Sequence, residues 1–130
     1  MTKADYILHW KETSEQEWSS AQGLFTLGNY LSSLFHAHLL IEKLSKAHWV
    51  KDNVADFPPR THNIIRLWQQ TTLQPTPDQE LVALELNTFQ LEGRYPDYQR
   101  IAYQRATRPF TQALLNDTSN LRSWLLSSLP

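Results

Sequence analysis

Glu42, Lys43 and Lys46 stand in one apolar tract of this sequence, Arg60 and His62 in the polar stretch that follows, and Arg94 and Tyr95 just before Pro96. Arginine grips a phosphate with paired N–H donors, while lysine supplies a mobile point charge. Imidazole titrates near neutrality, so it can donate, accept or move a proton. A tyrosine ring can stack on a base. Together Lys43, Lys46, Arg60, His62, Arg94 and Tyr95 suit recognition of a phosphate-bearing ligand such as a nucleotide, with Glu42 orienting a lysine. Lys43 and Lys46 are three apart and share roughly one side of a helix. The competing use of the same residues is structural: Glu42 or Asp97 pairs with the cations and fixes loops against helix ends. For His62 alone, hydrogen bonding at a helix start is the plainer role.

Other chemistries fare less well. The sequence has no cysteine, which removes disulfides, thiolate catalysis and Cys-based zinc sites. His36 and His38 bracket Ala37, but positions two apart on a helix point about 200° from one another, so they cannot readily share an ion. His38 and Glu42 are four apart on one face, yet the Glu-x-x-His pairs of di-iron bundles are missing. No metal or other cofactor is expected, and His38 reads as buried or interfacial. Arg94, Arg100, Arg105 and Arg108, interleaved with Tyr95, Tyr98 and Tyr103, have the types that neutralise phosphates and stack on bases. A solvated helix face accounts for them more simply, so RNA ranks behind a nucleotide.

The elements that must position these side chains are helices. Glycines number three, strand-like alternation is scarce, and prolines divide the chain into blocks. A first helix is expected over about Lys3–Thr26, broken by Gly28-Asn29. A second runs over about Tyr30–Lys51 and is apolar on several sides, which predicts a central position. A loop from Asp52 to Pro59 follows, then a short third helix capped by Thr61. A fourth starts at Pro77-Asp78 with Leu81, Leu84, Thr88 and Leu91 on one face, and stops at Gly93. The last block, from near Pro96 to about Ser128, has Pro109 as a kink or fresh first turn, with Ile101, Ala106, Phe110, Ala113, Leu114, Leu121, Trp124 and Leu125 inward. The expected architecture is all-α: one domain over residues 1–130, an up-and-down bundle of four to five helices.

A chain of 130 residues with 41% hydrophobic content buries enough surface for one core. The formal net charge of −1 gives no global field toward nucleic acid or an anionic membrane. The start of the chain lacks a signal-peptide core and no window is apolar enough to span a bilayer, so a cytoplasmic protein is expected. Of the five tryptophans, some would lie in a dimer interface.

The order of motifs resembles a known family. Trp18-x-x-Ala21, the tract His38-Leu39-Leu40-Ile41-Glu42-Lys43-Leu44-Ser45-Lys46-Ala47, the loop Pro58-Pro59-Arg60-Thr61-His62-Asn63, and Gly93-Arg94-Tyr95-Pro96-Asp97 are similar to the small prokaryotic HEPN-domain proteins. The resemblance implies a helical bundle like the substrate-binding domain of nucleotidyltransferases, commonly a homodimer. It also implies a nucleotide-binding module or the partner of a minimal nucleotidyltransferase in a two-component, toxin–antitoxin-like pair, without catalysis of its own. Many members resemble metal-independent ribonucleases whose site is Arg, four to six residues, then His. Here the last histidine is His62 and the only preceding arginine is Arg60, so that motif is absent. A divergent ribonuclease using Arg60 and His62, or a purely structural dimer or adaptor, are the alternatives.

Overall fold

The computed structural model describes residues Met1–Pro130 as six helices and no strands. They are α1 (Lys3–Thr26), α2 (Tyr30–Asp52), α3 (Ile64–Trp68), α4 (Pro77–Asn87), α5 (Pro96–Arg105) and α6 (Arg108–Ser127). A capping box starts α1: the Thr2 hydroxyl accepts from the Asp5 N–H, and the Asp5 carboxylate accepts from the Thr2 N–H. Its end is a Schellman turn. Gly28 takes φ of +81°, Gly28 N–H donates to Phe25 and Asn29 N–H to Leu24. A reversal this short returns α2 antiparallel along α1, and this is the most extensive helix pair in the fold.

Helix α2 is the axis, touching α1, α3, α4, α5 and α6. Thirteen of its residues are buried, because apolar side chains on several faces can only be satisfied by neighbours all round. Leu34, Leu40, Ile41 and Leu44 pack with Ile64, Leu86, Phe89, Leu114 and Leu125 in the main core. Most polar side chains inside are paired, the Thr111 hydroxyl being buried without a partner. Ser33 donates to the Ala21 carbonyl, His48 Nε2 to the Leu125 carbonyl, and Trp68 Nε1 to Ser45 Oγ. At the far end of α2, Lys3 Nζ donates to the carbonyls of Val50, Asn53 and Ala55 and pairs with Asp56. One side chain of α1 thus satisfies helix-end and loop oxygens that would otherwise lack donors.

Several expectations need correction. Thr61 does not cap α3. Its hydroxyl accepts from the Asn63 N–H, and Asn63 caps the helix by accepting from Arg66. The inward face of α4 is Val82, Ala83 and Leu86, continuing to Phe89, while Leu81 and Leu84 are exposed; three-residue spacing fits either face of so short a helix. Helix α4 ends at Asn87, six residues before Gly93. Of the two expectations for Pro109 the fresh first turn holds: the last block is two helices, because Ala106 leaves helical geometry and Thr107 becomes a new N-cap with Pro109 in the first turn. Ile101 and Ala113 are exposed, whereas Ala106, Leu114, Leu121 and Leu125 are buried.

Candidate functional site

Glu42 is the centre of the polar arrangement. It lies mid-helix on α2 and is 3% exposed. Its carboxylate accepts from Lys46 Nζ at 2.9 Å through one oxygen and from His62 Nδ1 at 2.8 Å through the other. The lysine bond is the i,i+4 pair that a helix permits. Lys46 also lies over the Trp10 ring of α1, 5.3 Å from its centroid, so its charge is enclosed on two sides.

The second tie to the His62 segment comes from His38, one turn earlier on α2 and fully buried. Its Nε2 donates to the His62 carbonyl at 2.8 Å. That fixes the tautomer and leaves Nδ1 without a hydrogen-bond partner, 3.9 Å from Glu42 Oε1. Desolvation pushes the His38 pKa down, against the opposing pull of the Glu42 charge and the His62 carbonyl. Main chain and side chain of His62 are therefore both held by α2, and the imidazole cannot turn freely although its side chain is 47% exposed.

This grip brings two loops together. His62 Nε2 stands 3.4 Å from Glu92 Oε2 in the α4–α5 connection. Beside it, Asn87 Nδ2 donates to Asn63 Oδ1, and Asn87 Oδ1 accepts from the Ile64 N–H. The Arg60–Asn63 segment and the segment leading to Arg94 and Tyr95 are thereby clipped side by side. Arg94 stacks over Tyr98 at 4.6 Å, and Tyr95 is 82% exposed. An open recess is lined by Gly93, Arg94, Tyr95, Asp97 and Tyr98. Arg60 is also exposed.

Lys43 is elsewhere. Its Nζ pairs with Glu17 of α1 at 3.2 Å, and the same carboxylate accepts from His36 Nδ1 at 2.7 Å. The two lysines three apart reach different parts of α1: Lys43 meets a carboxylate and Lys46 a ring. No group of His, Asp or Glu is arranged to hold a metal ion. The sequence reading missed Glu92, Asn63 and Asn87. Asn63 stood in the Pro58–Asn63 loop without a role and Glu92 in the polar tract beside Gly93, but the contacts that unite them are tertiary. The arginines Arg100, Arg105 and Arg108 lie over Tyr103, Phe89 with Phe110, and Phe25 respectively, and Arg105 also pairs with Glu85.

The geometry defines a helical bundle with a carboxylate-held histidine and exposed arginines where two loops meet. The HEPN domain matches residues 7–129, and the chain belongs to the HEPN family. Among solved structures, TT1696 from Thermus thermophilus is similar with a TM-score of 0.78 and 23% identity, over 95% of this chain and 98% of that one. At that identity the likeness establishes the shared fold. No curated protein matches the sequence. No helix is long and apolar enough to cross a membrane.

Proposed function

We propose that the chain binds a phosphate-bearing small molecule, with a nucleotide as the leading class, where the α2–α3 and α4–α5 loops meet. The observation that carries this reading is His62: buried Glu42 holds its Nδ1, and its Nε2 faces the loop bearing Arg94 and Tyr95. A fixed imidazole facing a loop that carries an exposed guanidinium offers donors of the kind an anion needs. Arg60 and Arg94 would grip the phosphate and Tyr95 would stack on the base. Lys46 is committed to Glu42 and Lys43 to Glu17, so neither is a direct contact in this reading. The module would act without catalysis of its own, as a homodimer and as the partner of a minimal nucleotidyltransferase. Exposed Leu81, Leu84 and Ile101 supply apolar area for protein contact.

The test is thermal unfolding of wild type and Arg94→Ala against a nucleotide panel with inorganic phosphate and salt controls. A ligand at 100 times its Kd stabilises by about 2.7 kcal/mol, or roughly several degrees. A base-dependent shift confined to wild type supports the site; an equal shift in Arg94→Ala removes the assignment. A second reading, RNA cleavage with His62 moving the proton, draws on the same carboxylate-held imidazole. Cleavage of a mixed RNA pool that disappears in His62→Ala would select it.

A further inference from the structure

His62 meets a carboxylate at each ring nitrogen: Glu42 Oε1 lies 2.8 Å from Nδ1, and Glu92 Oε2 lies 3.4 Å from Nε2. The two contacts differ in kind. Glu42 is buried in α2 with its second oxygen on Lys46, so it is a fixed part of the scaffold. The Glu92 side chain is 68% exposed and sits in the α4–α5 connection, directly before Gly93 with its φ of +76°.

Proton inventory adds a constraint. A neutral imidazole that donates through Nδ1 presents a lone pair at Nε2, and a carboxylate is repelled there. Only the imidazolium donates from both nitrogens. The Glu92 carboxylate takes the same ring edge, at Nε2, that an anionic ligand would use. On α2 the charged or titratable groups packed against His62 and Glu42 are Lys46 and His38, both already engaged with Glu42 or the His62 carbonyl, while Arg60 and Arg94 are carried, exposed, by the two loops themselves.

We infer that Glu92 is an exchangeable occupant of the anion site. In the ligand-free protein its carboxylate covers His62 Nε2, and a phosphate displaces it. This rests on the phosphate-binding reading and adds the residue that sets the affinity of that site. Exposed ion pairs are weak, so the occupant shifts the binding equilibrium by a factor of about two to five. An anion can displace it at modest concentration.

The experiment is an NMR titration of wild type and Glu92→Gln with inorganic phosphate at fixed pH and ionic strength, beside amide hydrogen exchange of the ligand-free proteins. Glu92→Gln is expected to bind phosphate about two- to fivefold more tightly. The Arg94 amide, which donates to the Leu91 carbonyl, is expected to exchange faster in the variant by a similar factor. Phosphate affinity in Glu92→Gln equal to or below that of wild type overturns the inference while leaving the binding site intact. Absence of binding by both proteins overturns the phosphate reading and the inference with it. Unchanged exchange at Arg94 overturns the Glu92–His62 contact whatever the titration gives.

Discussion

Replacing Glu42 by glutamine keeps the side chain's shape and removes its charge. The carboxylate accepts two bonds, from Lys46 at 2.9 Å and His62 at 2.8 Å. Glutamine has one acceptor oxygen, and its NH2 group must turn toward one of the two donors. One charge-assisted bond is lost and the other becomes a bond to a neutral acceptor. Hydrogen bonds to charged groups contribute about 1.5–3 kcal/mol net. Breaking a fully buried ion pair costs about 3–5 kcal/mol. Here the Lys46 and His62 side chains are 12% and 47% exposed, so both regain some hydration once freed. The lower range therefore applies, at about 2 kcal/mol. For a chain of this size that lowers Tm by about 6–10 °C. Calorimetry of Glu42→Gln, Lys46→Met and the double variant gives the magnitude and the coupling. The double variant should fall short of the summed losses by about 1 kcal/mol, since removing the lysine removes one stranded donor. A Tm for Glu42→Gln within about 2 °C of wild type, or strict additivity, would refute the view that this carboxylate joins α2 to the His62 loop.

Stability should fall on mild acidification. Burial pushes the pKa of His38 and His48 below the ordinary 6.5, so the folded state binds fewer protons than the unfolded state in that range. Their contribution is complete above about pH 6.5 and is lost as pH drops toward the depressed folded values. Thermal midpoints should be level from pH 8 to about 7, then decline toward pH 5; His38→Gln should make that decline shallower, and a flat profile in wild type would contradict the assignment. The Asp52 carboxylate, whose burial would raise its pKa, is held below 3.8 by the Thr72 N–H, the Thr72 hydroxyl and Lys51. It therefore adds a second loss only below about pH 4. Lys3→Met removes the donor to three carbonyls at the end of α2 and should cost about 1 kcal/mol, with faster amide exchange confined to residues near 50–56.

The fold was legible where one signal fixes one geometry. Gly28-Asn29 marks the turn after α1, and a helix apolar on several faces has to be central. Helix α4 was not legible in the same way. Leu81 and Leu84 are as apolar as Leu86, and only the packing of Ala83 and Phe89 against α2 decides which face turns in. The split between α5 and α6 was marked by Pro109, but a kink in one helix carries the same proline, and the Thr107 cap emerges only in the structure. In the candidate site, the Lys46–Glu42 bond follows from i,i+4 spacing. The bond from His38 to the His62 carbonyl and the Asn63–Asn87 clip join residues more than twenty apart, which no local pattern encodes. The separation of Lys43 from Lys46 has a similar cause. Three-residue spacing puts them on neighbouring parts of α2, and α1 then offers Glu17 to one and Trp10 to the other.

The most direct measurement is an amide chemical-shift titration of the protein with adenosine monophosphate, beside inorganic phosphate at matched ionic strength. Saturable perturbations are predicted to concentrate at residues 60–64 and 92–98, with those around Tyr95 larger for the nucleotide than for phosphate. Perturbations confined to other parts of the bundle, or none at millimolar ligand, would contradict a nucleotide site where the two loops meet.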